Sequence, residues 1–183
     1  SMATSKQSIS ARLIRGMTLM ELMVGLVIVG MGMTIAIPSF QGMLARNTMA
    51  TQVNEFMLSL LQARSEASKT GRTVSILGKT TATDFSGGWC VARGSPANCT
   101  APGADVVMSF PPLVAEASLS LVGGTVPIQF NSLGGLTGDS ALDVDLCHAS
   151  QPGRRIHISL VGRAKAHKST APYAADDPRL PAC

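Results

Sequence analysis

The sequence predicts an α+β fold, in which one long N-terminal helix packs on an antiparallel β-sheet domain. Apolar residues fill positions 17–37 almost without interruption, and they then recur every three or four positions as far as Gly71. Beyond Gly71 the pattern changes to short strand-like runs separated by Gly, Pro, Asp and Ser. A helix followed only by strands is typical of this fold class.

The first helical segment is long enough to cross a bilayer. Residues 17–37 make 21 positions, and Glu21 is the one charge among them. A carboxylate at membrane depth costs about 2.5–3.5 kcal/mol on insertion scales. We therefore expect Glu21 to have a function.

The second helical segment is amphipathic. Pro38 removes one helical hydrogen bond, so we expect a kink there rather than an end. Gly71 is a suitable C-terminal stop. Together the segments predict one helix of about 53 residues, whose first half lies in lipid and whose second half carries a domain.

The strand-like runs cover most of the remaining chain. They read RTVSIL, GWCVAR, DVVMSF, SLSLVG, PIQFNSL, LDVDLC and RRIHISLVGRAKAH. The tail from Ser169 to Cys183 is rich in Pro and Ala, and we expect it to form an irregular strap held by its last cysteine.

The charge distribution predicts the orientation of the apolar segment. Residues 1–16 hold Lys6, Arg12, Arg15 and no acidic residue, whereas the remainder of the chain is nearly neutral. By the positive-inside rule the N-terminus stays in the cytoplasm, and everything after Pro38 is exported. This predicts a single-pass membrane protein with an exported domain.

The cysteines agree with an exported domain. Cys90, Cys99, Cys147 and Cys183 all follow the apolar segment, and their spacing fits no C-x-x-C metal or redox motif. Two structural disulfides are the simpler interpretation. Among the three possible connectivities we expect the sequential one, Cys90–Cys99 and Cys147–Cys183.

A short motif at the start of the apolar segment identifies a family. Gly16-Met17-Thr18-Leu19-Met20-Glu21 resembles the prepilin signature of the type IV pilin and type II secretion pseudopilin superfamily, with Met in place of the commoner Phe. Pro38 falls where many pilins have a helix-kinking proline. An ordinary signal anchor would explain the apolar run but neither Gly16 nor Glu21.

The resemblance implies processing and assembly. A prepilin peptidase would cut between Gly16 and Met17, and the new amine of Met17 would be N-methylated. Glu21 would face the positive N-terminus of a neighbouring subunit; the alternative is a glutamate that snorkels to the membrane interface. The implied domains are a leader (1–16), a transmembrane and filament-core helix (17–38), the amphipathic half of the helix (39–70) and a periplasmic β-rich head (71–183).

Later motifs narrow the family. Gly88-Trp89, PIQFNSLGGL and ISLVGRAKAH resemble the globular region of GspH/FimT minor pilins and pseudopilins. FimT-like members are associated with DNA binding in natural transformation, through a Gly-Arg-x-Arg motif. Here the motif reads Gly162-Arg163-Ala164-Lys165, and the final lysine keeps the charge but loses the bidentate fork of arginine.

A cationic stretch surrounds that motif. Strand alternation would direct Ile156, Ile158 and Leu160 to the core, unless Gly162 introduces a bulge. The opposite face would then carry Arg155, His157, Arg163, Lys165 and His167. The candidate phosphate contacts are Arg154, Arg155, Arg163, Lys165 and Lys168. The alternative is a solvated sheet edge, where basic residues discourage strand addition.

The sequence predicts no enzyme, cofactor or metal site. It has no G-x-S-x-G, HExxH or P-loop motif, and the aspartates of LTGDSALDVDL favour a solvated hairpin over a calcium site. We therefore expect a minor pilin that assembles into or primes a pilus with other pilin subunits and binds double-stranded DNA non-specifically. The alternative is a GspH-like pseudopilin of a type II secretion system with a purely structural role.

Overall fold

The computed structural model describes residues 17–115, 117–122, 127–149 and 151–168, apart from the side chains of Pro38, Gln151 and Lys168. One helix, α1 (Leu19–Thr70), runs through residue 38 without interruption. The Thr18 hydroxyl accepts a hydrogen bond from the Glu21 amide (3.2 Å) and caps its start. Gly71 ends it with a φ of 64°, which a side chain would strain. The single long helix ending at Gly71 is confirmed; the kink at Pro38 stays a prediction.

The two parts of α1 differ in what covers their apolar side chains. The chain divides after Gln41 into two compact units. Before that point the large apolar side chains are exposed, and the helix is long and apolar enough to cross a membrane. After it, buried side chains recur at alternating spacings of four and three, which is the period of a helix with one covered face. They are Met49, Val53, Phe56, Leu60, Ala63 and Ala67.

Eight strands follow the helix. They are β1 (Val74–Gly78), β2 (Trp89–Arg93), β3 (Asp105–Phe110), β4 (Ala117–Val122), β5 (Ile128–Phe130), β6 (Leu142–His148), β7 (Gln151–Ile158) and β8 (Ala164–Lys168). They form two antiparallel four-stranded sheets, ordered β3-β2-β1-β5 and β4-β6-β7-β8. This confirms the predicted α+β fold with a long helix packed on antiparallel sheets.

One core joins the second part of α1 to both sheets. Phe56 of the helix contacts the rings of Phe85 and Trp89 at centroid distances of 5.8 and 5.7 Å. Both sheets contribute buried side chains to the same cluster, for example Ile76 from the first and Ile156 from the second. Burying aromatic rings supplies much of the favourable free energy of a core of this size.

The last predicted strand is a hairpin, and this corrects the sequence interpretation. β7 ends at Ile158 and β8 begins at Ala164, and the turn between them is closed by the Ser159 amide donating to the Arg163 carbonyl (2.9 Å). Gly162 adopts a φ of 75°, a conformation that favours glycine. Leu160 therefore lies in the turn and is 46% exposed, so its predicted position in the core is wrong.

A disulfide covers the other face of the first sheet. Cys90 in β2 is bonded to Cys99, and both lie in a small second apolar cluster with Leu77 and Ala92. This confirms the predicted Cys90–Cys99 pair. Cys147 is disulfide-bonded as well. Its expected partner, Cys183, lies outside the described residues, so the Cys147–Cys183 pairing stays a prediction.

Candidate functional site

The first candidate site is the exposed apolar start of α1. Glu21 lies in the first turn of the helix, where Leu19 is 78% exposed and Leu22 is 51% exposed. Within residues 17–168, as far as they are described, Glu21 forms no ion pair. The helix thus offers a carboxylate on an apolar surface that the rest of the described chain leaves uncovered.

The second candidate site is the side of the second sheet that faces away from the core, here named the outer face. Strand register decides its members, because residues paired across neighbouring strands project to the same side. Asp145 pairs with Arg155, which pairs in turn with His167. Two positions further along each strand, Asp143 pairs with His157, which pairs with Lys165.

A buried ion pair occupies the centre of the outer face. The Arg155 guanidinium donates to both carboxylate oxygens of Asp145, each at 2.7 Å, and both residues are buried. The hydrogen bonds to Asp145 raise the pKa of Arg155 above its ordinary value, although desolvation opposes this. Arg155 is therefore held charged, but Asp145 balances its charge.

A second, more exposed pair lies beside it. The His157 Nδ1 and an Asp143 carboxylate oxygen are 2.7 Å apart, and both side chains are partly exposed. The acidic residues of the outer face come from β6, the strand before the cationic stretch. The sequence analysis does not predict these aspartates as partners, because they lie outside the basic residues 148–170. The alternation in LDVDLC places both aspartates on one side of the strand and is the signal that predicts them.

Two of the five candidate phosphate contacts are exposed cations. Lys165 projects from β8 on the outer face, and Arg163 lies at the end of the hairpin turn. Neither forms an ion pair with any described residue. Since β8 is the edge strand of its sheet, both charges stand where an extended polyanion has access.

The other candidate contacts are placed differently. Arg154 pairs with Leu146 and Lys168, so it projects to the side opposite the outer face. Its Nε is buried without a hydrogen-bond partner among the described residues. The side chain of Lys168 lies outside the described residues. The structure thus brings together Arg155, Lys165 and the two histidines, and it separates Arg154 from them.

No metal site is formed by the acidic residues. Asp143 and Asp145 engage His157 and Arg155, and in the described part of the chain no three His, Cys, Asp or Glu side chains are grouped as metal ligands would be. A separate ion-pair network lies on the first sheet. There Arg93 contacts Glu66 of α1 at 2.7 Å and Asp105 of β3 at 3.0 Å, which fixes the helix to the sheet edge.

Comparison with known proteins decides the family. The sequence profile of the type II transport protein GspH matches residues 52–162, more than half of the chain. The chain belongs to the GspH family. The prokaryotic N-terminal methylation motif matches residues 12–37, so this GspH-family chain joins a prepilin-type N-terminus to a GspH-type head. No curated protein sequence matches the chain.

The solved structure of FimU agrees with this assignment at the level of fold. The chain is similar to the type IV minor pilin FimU of Pseudomonas aeruginosa, with a TM-score of 0.57 and 20% identity over 70% of this chain and 98% of FimU. It is also similar to the minor pseudopilin EpsH of Vibrio cholerae, with a TM-score of 0.48 and 13% identity over 66% of this chain and 96% of EpsH. The GspH-family chain thus joins a head of this fold to an apolar N-terminal helix that is long enough for membrane anchoring.

Proposed function

We propose that this chain is a minor pilin, that a prepilin peptidase cuts it between Gly16 and Met17, and that Met17 is then N-methylated. The processed chain assembles with other pilin subunits from the inner membrane, with its head in the periplasm. One observation carries the proposal. The start of α1 exposes a continuous apolar surface interrupted by the single carboxylate of Glu21. The proposal assigns no catalytic step and no cofactor to the chain.

The physical role of Glu21 follows from its surroundings. A charge in an apolar environment is strongly destabilising unless a counter-charge lies close to it. Removal of residues 1–16 would create an amine at Met17, four positions before Glu21. In a staggered stack of parallel helices, the carboxylate of one subunit then pairs with the amine of the next. That pairing offsets the burial of both charges and selects one axial register.

We further propose that the head binds double-stranded DNA weakly and without sequence preference during natural transformation. The supporting observation is the exposure of Arg163 and Lys165 on the edge hairpin, with no ion-pair partner among the described residues. Arg155 contributes little, because Asp145 already balances it. Arg154 projects to the side opposite the outer face, and the side chain of Lys168 lies outside the described residues. The proposed contact is therefore smaller than the sequence predicts.

The number of phosphate contacts determines the expected affinity for DNA and its dependence on salt. Each phosphate contact adds about −0.9 to the slope of log K against log salt, so two contacts give a slope near −2. A protein with two such contacts loses about tenfold in affinity between 50 and 200 mM salt. Non-specific binding near physiological salt falls in the range of about 10⁻⁴–10⁻⁶ M.

A DNA titration with a matched control tests the proposal. Arg163→Gln and Lys165→Gln are each expected to reduce the salt slope by about one and to weaken binding equally for unrelated DNA sequences. Arg46→Gln is the control, since this exposed arginine lies on α1 and its Nε donates to the Gly42 carbonyl. Binding of the double variant at wild-type strength, or loss of binding in Arg46→Gln, contradicts the proposed site.

The alternative is a GspH-like pseudopilin with a purely structural role in type II secretion. The balanced charges of the outer face favour this alternative, because Asp143 and Asp145 place negative charge beside the proposed phosphate contacts. Deletion of the gene separates the two functions. Loss of DNA uptake with normal protein secretion supports the DNA-binding pilin, and loss of secretion with normal DNA uptake supports the pseudopilin.

A further inference from the structure

Two loops are packed against each other, and each belongs to one of the motifs that resemble GspH/FimT proteins. Loop 131–136 follows β5, and turn 159–163 joins β7 to β8. The Leu136 amide donates to the Leu160 carbonyl (2.9 Å). A Cβ added at Gly162 would collide with the carbonyl oxygen of Gly134, so only glycine permits this close approach. The PIQFNSLGGL and ISLVGRAKAH motifs therefore build one surface.

Loop 131–136 is held in one conformation by its own side chain. The Asn131 carboxamide oxygen accepts from the amides of Leu133 (2.9 Å) and Gly135 (3.1 Å). The Asn131 amide donates to the Gly135 carbonyl (2.8 Å), and Gly134 donates to the Asn131 carbonyl (2.8 Å). A loop that is ordered in this way loses little conformational entropy when it binds a partner.

This ordered surface displays aliphatic side chains to solvent. Leu133 is 89% exposed, Val161 62% and Leu160 46%. These three residues are here named the apolar tip. Because Gly134 and Gly162 touch, the residues that precede them, Leu133 and Val161, lie on adjoining loops. Three neighbouring exposed aliphatic side chains on an ordered support are typical of a protein-binding surface.

Basic residues flank the apolar tip. Arg64 of α1 lies beneath Gly134, whose Cβ position is 3.1 Å from the Arg64 Cγ, and Arg163 ends the turn that carries Leu160 and Val161. Neither arginine forms an ion pair with a residue that the structure describes. A partner that covers the tip therefore meets two positive charges at its rim.

Charge selects the kind of partner. In a two-fold dimer of identical tips the same patch meets itself, and the arginines of both copies would be brought together with destabilising effect. A DNA backbone supplies negative charge but no apolar surface to cover leucine and valine. A different protein with an apolar patch bordered by carboxylates satisfies both requirements.

We propose that the apolar tip docks onto the head of a different pilin subunit, at an apolar patch bordered by Asp or Glu. This rests on the proposed function, in which the chain is part of a filament, and it adds a contact between heads to the contact between helices. The tip lies at the C-terminal end of α1, where Gly134 approaches Arg64 and Ser68. Glu21 belongs to the other compact unit of the chain, so the two contacts can be tested with separate variants.

The test uses the full-length chain in cells that make the filament. Leu133→Ser combined with Leu160→Ser is expected to reduce recovery in sheared filaments about tenfold, the effect of losing one strong interface side chain. DNA affinity is expected to stay unchanged, since Arg163 and Lys165 are retained. Val106→Ser is the matched control, because this valine on the edge strand β3 is exposed (37%) and distant in sequence from both loops. Recovery of the double variant at wild-type level overturns the inference.

A photo-crosslinking amino acid at position 133 gives a readout that does not depend on the stability of the serine variants. A crosslink to another protein with a prepilin-type N-terminus supports the proposal. Crosslinking to DNA, to lipid or to a second copy of this chain overturns it, as does the absence of any crosslink. Glu21→Ala separates this inference from the proposed function. Filament recovery lost in Glu21→Ala but normal in the tip variant refutes only the tip contact, whereas normal recovery of Glu21→Ala refutes the filament role assigned to Glu21.

Discussion

Two carboxylates of the molecule differ in whether the described chain supplies a counter-charge. Asp145 in β6 is 3% exposed and is bound through both oxygens by Arg155. Glu21 near the start of α1 stands on an exposed apolar helix and has no ion-pair partner among the described residues. One charge is balanced by the next strand; the other has no counter-charge within the described chain.

The presence or absence of a counter-charge within the chain shows which carboxylate contributes to folding and which contributes to assembly. A carboxylate that leaves water needs a cation close by, because the desolvation penalty otherwise amounts to several kcal/mol. In the head, the pairing of β7 with β6 brings the Arg155 guanidinium next to Asp145. At the start of α1 a cation must come from another molecule. Changes at Asp145 should therefore act on the free energy of unfolding, and changes at Glu21 on association between subunits.

Removing the Glu21 carboxylate is expected to have the largest effect. In Glu21→Ala, the proposed pairing with a neighbouring amine is lost, and incorporation into filaments should fall below about a tenth of wild type, since a missing buried charge pair costs 3–5 kcal/mol. Copurification with sheared filaments measures this. The melting temperature of the head should not change, because Glu21 belongs to the other compact unit of the chain. A lower melting temperature would break the distinction between the two carboxylates.

The converse experiment removes the buried carboxylate. Asp145→Ala leaves the Arg155 guanidinium buried without its main counter-charge, and the free energy of unfolding should fall by about 3–5 kcal/mol. Asp105→Ala is the matched control, since its carboxylate also pairs with an arginine but is 57% exposed. Exposed pairs contribute about 0.2–1 kcal/mol. Chemical denaturation of both variants measures the difference, and equal losses contradict the role assigned to burial.

The smallest effect concerns a carboxylate that water already solvates. Hydrogen bonds from the Ser86 hydroxyl and amide lower the pKa of Asp84 below its usual value. Because the folded-state pKa is the lower one, the stabilisation is present at neutral pH and is lost as the pH falls below about 3.8 and through the folded value. Asp84→Asn should therefore melt slightly below wild type at pH 7, and the gap should close in acid. Asp139→Asn, on an exposed turn, is the control, and a gap that widens in acid contradicts the assigned cause.

The sequence predicts the helix and the strands well because their signals are local. The three- and four-residue spacing of apolar side chains, the glycine stop at Gly71 and alternation in the strands each depend on neighbouring residues. The prepilin motif is equally local. The Cys90–Cys99 pair was predictable for a related reason, since nine positions separate the two cysteines.

Features that depend on pairing between strands are harder to predict. The run from Arg154 to His167 alternates like one strand, and only the contacts of Ser159 and Gly162 show that it folds back on itself. The cationic stretch looked uniformly basic because its counter-charges belong to β6. Arg154 and Arg155 are adjacent in sequence yet project to opposite sides of the sheet. The net charge counted along a segment of the sequence therefore overestimates the net charge of the surface to which that segment contributes.

The pairing of β5 with β1 determines how much of the exported chain must be present before the head can fold. Val74 at the start of β1 pairs with Phe130, so the first sheet closes only when more than fifty further residues are available. Until then one backbone edge of β1 has no partner, while its side chains are already strongly apolar. A chain that ends before Ile128 therefore has an incomplete first sheet with an exposed edge on β1. Such a fragment is a natural substrate for chaperones and proteases, because its exposed edge invites aggregation.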